Sequence, residues 1–324
     1  MPRGRCASLT SRQIKRNLFS NREKPAFIGQ GATTSAKFAL RQFEAVLTFV
    51  INLARRSDRL AVMSAQLEKL SIDFERFDAF DGSSLRLPPD ATLTAAETAC
   101  HRSHRACWQK LLDSNEDFAV ILEDDLVISP RLAGFLAAPE RWPGDADVIR
   151  LETYRQLAYL STRFVTASAG IRLHRLLTEQ YGAGGYVISR TCAERLLGEI
   201  QPARVPVDVM IYAKAKPGAD GLCIYQAVPA LCIQGKVYYS EAVPETMISD
   251  IEPMRRLRYA MLEALEPLPA PEPPATGFAR VVEEAKRIGR PLYRSWVFGD
   301  RQHLVEFDTS GDPAAGATSG ERYA

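Results

Sequence analysis

The sequence predicts an α/β fold built on a parallel sheet, and three consecutive stretches point to it. Residues 45–53, AVLTFVINL, form a β-branched apolar run of strand length. SDRLAVMSAQLEKL follows, with Leu60, Met63, Leu67 and Leu70 at helical spacing and Ser57 placed to cap the helix. DFERFDAFDG (73–82) then alternates as a second strand. Strand, helix and strand of this length make a βαβ unit, whose crossover leaves its two strands parallel.

The remaining elements follow in order. In TLTAAETACHRSHRACWQKLLDSNED (92–117), Thr94 caps a long helix and Glu97 completes a capping box. That helix delivers the chain to a buried strand over 118–122. A helix follows Pro130, and ADVIRLE (146–152) is another short strand. Within 153–181 only RFVTAS reads as structure, a hairpin strand. GAGGYVISRTCAERLLGEI (182–200) passes from a glycine turn through a strand into a helix capped by Ser189 or Thr191. VPVDVMIYAKA (205–215) and LCIYQAVPALCIQ (222–234) complete the apolar core.

Beyond about residue 253 the character changes. PMRRLRYAMLEALEPL is a basic amphipathic helix carrying Arg255, Arg256 and Arg258, and PLPAPEPPATG is a proline-rich linker. A further helix is expected over 277–290, and the small-residue tail 309–324 is expected to be disordered. The expected organisation is therefore a basic, disordered extension over 1–44, an α/β domain over 45–255, and a helical, proline-rich extension over 256–324.

Net charge is only +2 over 324 residues, so no strong polyanion partner is implied and no nucleic acid is expected. The charge is uneven: nine Lys and Arg precede residue 44 against Glu23 alone, the composition of a transit peptide or a disordered arm. No signal peptide and no apolar run of membrane-spanning length is visible. The six cysteines are scattered, which suits reduced thiols and a cytoplasmic location.

The chemistry concentrates in AVILEDDLVISP (119–130), where Glu123, Asp124 and Asp125 end an apolar strand. Two unit charges about 4 Å apart interact by roughly 1 kcal/mol in water and roughly 4 kcal/mol near a protein surface, so three adjacent anions repel unless water or a cation relieves them. Carboxylate oxygens suit Mg²⁺ or Mn²⁺, and a solvated acidic turn is the plainer alternative. NLARRSDR supplies the opposite charge after the first strand: Asn52, Arg55, Arg56 and Arg59 suit a phosphate, or merely begin a solvated helix. Cys100, His104 and Cys107 share one helical face. Zinc sites usually draw on separated pairs, so a packed face with a buried histidine is expected there. YGAGGY lacks a dinucleotide fingerprint and is expected to let backbone approach a ligand or a neighbouring strand. Asp208 is a lone carboxylate in an apolar segment, which needs a partner or a task; it caps a helix near Val209, pairs with a group such as Arg204, or acts as a base.

With these residues in hand, the chain resembles glycosyltransferase family 25, the lipooligosaccharide-biosynthesis and procollagen galactosyltransferase group. The matching segments stand in the family's order: VINLARRSDR, FDAFDG, LTAAETACHRSH, AVILEDDLVI, GGYVISRTCAERLL and VPVDVMI, with SDIEPMR (249–255) similar to its terminal element. Ala99 stands where the family usually has glycine before the cysteine, and residues 153–181 and those beyond 255 match no family segment.

The resemblance implies a GT-A-like, Rossmann-type nucleotide-sugar transferase domain over 45–255. It implies a UDP-sugar donor, galactose being the expected hexose, and inverting transfer to a glycan or lipid-linked glycan acceptor in lipopolysaccharide or other cell-surface glycan synthesis. Glu123, Asp124 and Asp125 fall on the acidic motif that would hold Mn²⁺ or Mg²⁺. Asn52, Arg56, Arg59, Asp81, Gly185 and Tyr186 are the expected donor-binding residues, and Asp208 the expected catalytic base. A lipid-linked acceptor would bring the basic helix after residue 253 into peripheral contact with the inner membrane. The rival functions are a metal-dependent nucleotide-sugar hydrolase or nucleotidyltransferase, which would turn over donor without acceptor, and a non-catalytic binding module.

Overall fold

β1 (Leu47–Asn52) is buried at every position after the first, and its side chains divide between two cores. Phe49 and Ile51 enter one apolar cluster and Val50 the other. A strand covered on both faces needs a continuous apolar run, which is why AVLTFVINL shows no alternation. The structure is a computed structural model and describes residues 46–199, 204–215, 221–240, 242–248 and 300–310. The expected extension over 1–44, the basic helix after 253, the proline-rich linker, the helix over 277–290 and the tail from 311 lie outside the described residues.

The chain continues through α1 (Ser57–Lys69), β2 (Glu75–Asp78), α2 (Ala95–Asp113), β3 (Phe118–Glu123), β4 (Leu126–Ile128) and α3 (Arg131–Leu136). The strands β5 (Val148–Arg150), β6 (Glu152–Thr153), β7 (Leu157–Thr166), β8 (Arg172–Leu176) and β9 (Gly185–Ser189) come next. The last elements are α4 (Arg190–Leu197), α5 (Val207–Tyr212), β10 (Ile224–Val228), β11 (Cys232–Gln234), α6 (Gly235–Tyr238) and β12 (Asp300–Leu304). Helices cover both faces of the main sheet. α2, α4 and α5 contribute Trp108, Leu111, Leu196 and Ile211 to one core. α1 and α3 contribute Met63, Leu67, Leu132 and Phe135 to the other.

Among the described residues the main sheet has nine strands in the order β12-β7-β8-β10-β5-β9-β3-β1-β2. β2, β1 and β3 are mutually parallel, as the βαβ reading requires. The sheet is nevertheless mixed. Gly185 of β9 pairs with Leu122 at the carboxyl end of β3, so the chain enters the sheet from that end and β9 runs antiparallel to both β3 and β5. β4, β11 and β6 form a second, three-stranded sheet beyond those strand ends.

Several local expectations are met in detail. Thr94 accepts from Glu97 N–H and Glu97 reaches back to Thr94, the expected capping box. Ser189 caps α4 by accepting from Cys192 N–H at 3.2 Å. RFVTAS lies in the β7–β8 hairpin. Ser57 does not cap α1; it is the first helical residue, and the capping position falls on Arg56 without a side-chain bond. β12, beyond the expected end of the domain at 255, pairs with β7 at the sheet edge. The segment after it bonds Ala230 through Glu306 and Asp308.

Gly185 shows what holds the two sheets together. A Cβ there would lie 2.2 Å from Cys232 Sγ, so only glycine lets β9 pass under β11. Gly185→Ala is expected to destabilise the protein by about 1–3 kcal/mol through overpacking. Adding Cys232→Ala should recover part of that loss. Equal denaturant midpoints for wild type and Gly185→Ala would contradict the packing account.

Candidate active site at the carboxyl ends of the parallel strands

A cleft of about 390 Å³ opens at the carboxyl ends of β1, β2 and β3, where ligands of open α/β sheets sit. Ile51 and Leu53 follow β1 into it, Ala79 to Ser83 follow β2, and Glu123, Asp124 and Asp125 end β3. The amino-terminal half of α2 forms the facing wall with Ala95, Ala96, Ala99, Cys100 and Ser103. Small residues there leave space for a ligand. The β2 loop is pressed against this helix: a Cβ on Gly82 would come within 2.7 Å of the Ala96 Cα, and Phe80 N–H donates to Ser103 Oγ at 3.0 Å.

The three acids of the triplet have different surroundings. Asp124 is paired: Arg59 donates to it at 3.1 Å and Asn52 at 2.7 Å, all three residues being buried. Burial still raises its pKa, against the pull of Arg59 and Asn52. Glu123 faces α2, with His104 Nε2 3.3 Å and Cys100 Sγ 3.7 Å from its Oε1, and Gln234 Nε2 3.5 Å from its Oε2. Burial works against its charge, but His104 and Lys236 hold it below the usual carboxylate range. For Asp125 the pull of Arg59 and Lys236 is outweighed. Among the described residues its buried Oδ1 has no hydrogen-bond partner, and burial together with the Glu123 charge pushes its pKa up to about 7. Of the two neighbours, Glu123 is thus the stronger acid and Asp125 the weaker.

The donor-binding residues expected from sequence divide into two groups. Arg59 and Asp81 line the cleft. Asp81 forms an ion pair with Arg55, which also lines it, and accepts from Ser83 N–H at 2.9 Å. The Ser83 amide is the chief cause of a lowered Asp81 pKa. Asn52, Arg56, Gly185 and Tyr186 are not among the described residues lining the cleft. Asn52 is a buried junction between Asp124, the Arg56 carbonyl and Arg76. Arg56 ion-pairs with Asp58 and donates to the Glu245 carbonyl. Tyr186 is fully buried, its hydroxyl 2.9 Å from both His104 Nδ1 and Trp108 Nε1.

Asp208 lies in the first turn of α5, and its carboxylate accepts from Val209 N–H and Gly182 N–H, each at 2.9 Å. It is near enough to the cleft wall for its charge to raise the Cys100 thiol, although burial and Glu123 act on that thiol more strongly. The glycine turn beside it is clamped from three sides. Arg150 donates to the Tyr181 carbonyl at 2.7 Å, Asp208 takes the Gly182 amide, and Glu152 takes the Gly184 amide at 2.9 Å.

Glu152 was not singled out from the sequence. It is fully buried at the start of β6, its Oε1 has no hydrogen-bond partner among the described residues, and burial pushes its pKa up to about 8. Its signal was present: ADVIRLE ends an apolar run in a carboxylate, as AVILEDD does. Lys236, which follows β11, adds a positive charge that reaches Glu123 and, after Arg59, Asp125, and its Nζ sits 5.7 Å from the centre of the Tyr154 ring.

An acidic cluster at the end of β3, opening on a cleft at the carboxyl ends of parallel strands, is a site that a nucleotide-sugar transferase can use. Residues 46–211 match glycosyltransferase family 25 (LPS biosynthesis protein), and the chain belongs to that family. It is a glycosyltransferase. It is 30% identical over 211 residues to the lacto-N-neotetraose biosynthesis glycosyltransferase LgtB of Neisseria gonorrhoeae, covering 59% of this chain and 75% of that one. It is 26% identical over 280 residues to the lipooligosaccharide biosynthesis protein lic2B of Haemophilus influenzae, covering 81% of this chain and 99% of that one. Among solved structures, a glycosyltransferase involved in glycosylation of the major capsid of PBCV-1 aligns distantly, with a TM-score of 0.35, 10% identity, and 59% of this chain and 92% of that chain covered.

Two outcomes test this electrostatic picture. Asp125 and Glu152 hold protons in the folded state that the unfolded chain releases near pH 4, so native stability falls as pH rises. The fall runs from the ordinary carboxylate range up through the folded values of about 7 and about 8. Without divalent cations, denaturant midpoints should drop across that window, and Asp125→Asn should reduce the drop; identical slopes for variant and wild type would contradict it. Arg59→Met strands Asp124 in a buried position and should cost about 3–5 kcal/mol. A loss under about 1 kcal/mol, the scale of an exposed pair, would show that the pair is not buried in solution.

Proposed function

We propose that the protein is a metal-dependent, inverting hexosyltransferase of GT-A-like architecture. In this reading it moves galactose from a UDP-sugar to a glycan of the lipooligosaccharide type. The observation that carries the proposal is the buried Asp125 oxygen, without a hydrogen-bond partner among the described residues, lining the cleft of about 390 Å³. The names of the LgtB and lic2B relatives support the acceptor class. A lipid-linked acceptor places the enzyme in the cytoplasm with peripheral contact at the inner membrane. Among the described residues no helix is long and apolar enough to cross a membrane.

The donor set fits Mn²⁺ or Mg²⁺, because hard oxygen ligands and an unsatisfied carboxylate meet in one place. Asp125 and Glu123 are the residues to hold it, with Asp124 fixing Arg59 beside them. Such an ion, when bound, offsets the negative charge that develops on the departing nucleotide diphosphate. The chain's own residues do the rest. In this reading Arg55 and Asp81, which line the cleft, hold the nucleoside, and Arg59, which lines it as well, faces the diphosphate. Asn52 and Arg56 hold the loop after β1. Gly185 and Tyr186 act from behind the wall, Gly185 by keeping β9 close to β11 and Tyr186 by orienting His104 toward Glu123. Asp208, its carboxylate oriented by two amides, takes the proton of the attacking acceptor hydroxyl.

UDP-galactose should raise the melting temperature only when Mn²⁺ is present, and donor turnover should require a glycan acceptor. Equal donor consumption without acceptor would indicate a hydrolase instead. Asp208→Asn should lower kcat by 10² or more, the scale of general base catalysis, with donor affinity nearly unchanged. If donor binding and thermal stability fall together with activity, Asp208 serves only to clamp Gly182.

A further inference from the structure

Expecting a metal-free face on α2 rested on one fact: Cys100, His104 and Cys107 all come from a single helix. The fold changes that fact. Cys107 turns into the core beside Trp108 and Leu111, fully buried. Cys100 and His104 instead meet Glu123, which arrives from β3. One ligand atom from each of these three residues lies within 4.8 Å of the others.

The spacing suits a tetrahedral ion. Bonds of about 2.0 Å to nitrogen and oxygen and about 2.3 Å to sulfur place the ligand atoms roughly 3.3–3.5 Å apart. Here His104 Nε2 is 3.3 Å and Cys100 Sγ 3.7 Å from Glu123 Oε1. The histidine is fully buried and oriented from behind: Tyr186 Oη lies 2.9 Å from Nδ1 and is itself fixed by Trp108 Nε1–H at 2.9 Å. A hydrogen-bonded second ring nitrogen is the usual support of a metal-ligating histidine. Cys100 and Glu123 both line the cleft, so the fourth coordination position opens toward the ligand space.

We propose that Cys100, His104 and Glu123 form a site for a thiophilic divalent cation, Zn²⁺, distinct from the oxygen-ligand site at Asp125 but sharing Glu123 with it. A thiolate, an imidazole and a carboxylate favour zinc over Mn²⁺ or Mg²⁺. On binding, the Cys100 thiol proton leaves to solvent, His104 coordinates through Nε2, and its remaining proton on Nδ1 is donated to the Tyr186 oxygen. Occupation withdraws Glu123 from Asp125, so Zn²⁺ inhibits transfer; this last step rests on the function proposed above, whereas the binding does not.

Cobalt(II) is the probe. Titrating Co²⁺ into the full-length protein under reducing conditions should produce a thiolate-to-cobalt charge-transfer band saturating at about one ion per chain, in the manner of a single tetrahedral site, and Zn²⁺ should abolish it by displacement. Cys100→Ser should remove the band and His104→Gln should weaken binding by about 10-fold or more. Asp125→Asn should retain the band, even if that variant no longer binds Mn²⁺ or donor, which separates this site from the donor-metal reading. No band in the wild type, or a band that persists in Cys100→Ser, would overturn the proposal. In Mn²⁺-saturated wild type, added Zn²⁺ should slow transfer at least about 10-fold, since second-site occupation removes a ligand of the first. Full activity with the cobalt site filled would overturn the sharing of Glu123.

Discussion

Asp125 is buried beside Glu123 and Asp124, with an oxygen that no described residue satisfies, and much of the architecture is arranged around that imbalance. An unpaired buried carboxylate is costly, so it either keeps its proton or acquires a cation. Asp124 cannot share Arg59 freely, because Asn52 and Arg59 already fix it in place. Glu123 takes what relief His104 and Lys236 provide. Glu152, a strand away, is likewise pushed up by burial, to about 8, and among the described residues one of its oxygens has no hydrogen-bond partner. The cluster therefore presents open oxygen atoms at the point where three parallel strands end and a cleft begins.

The packing explains how such a site is kept. The two faces of the main sheet bury separate cores, which removes any freedom for β3 to shift its carboxylates. The glycine turn before β9 is held by Arg150, Asp208 and Glu152, so charged residues that could be read as chemistry also fix backbone. Gly185 lets β9 pass beneath β11, which brings Gln234 and Lys236 to the acidic cluster. Structure and chemistry are carried by the same side chains, and variants at these positions need readouts that separate the two.

Much of this was legible from residue patterns, for definable reasons. The parallel β2-β1-β3 core follows from helical spacing between two apolar runs, and the capping box from Thr94 and Glu97. The reversal of β9 was not legible, because strand direction depends on the end from which the chain re-enters the sheet. β12 was not legible either: the change of composition after residue 253 marks the end of the domain, and DRQHL carries no apolar run that would return it to the sheet. At the site, the acidic triplet was visible because its three acids are adjacent. Glu152 and Lys236 follow the same rule, a polar residue just beyond an apolar strand, but each stands alone in sequence and only the fold brings them together. Cys100 and His104 were discounted for sharing one helix, a judgement that could not include a third ligand from β3.

The central claim is that Asp125, and not its paired neighbour Asp124, is the carboxylate reserved for a cation. Equilibrium binding of Mn²⁺ in the presence of UDP, followed by the paramagnetic signal of the free ion, separates the two directly in Asp124→Asn and Asp125→Asn. The account predicts that Asp125→Asn weakens Mn²⁺ binding by about 10–100-fold or more while Asp124→Asn changes it only a few-fold, because an amide can still accept from Arg59 and Asn52. The opposite order, or undiminished binding in Asp125→Asn, would contradict it.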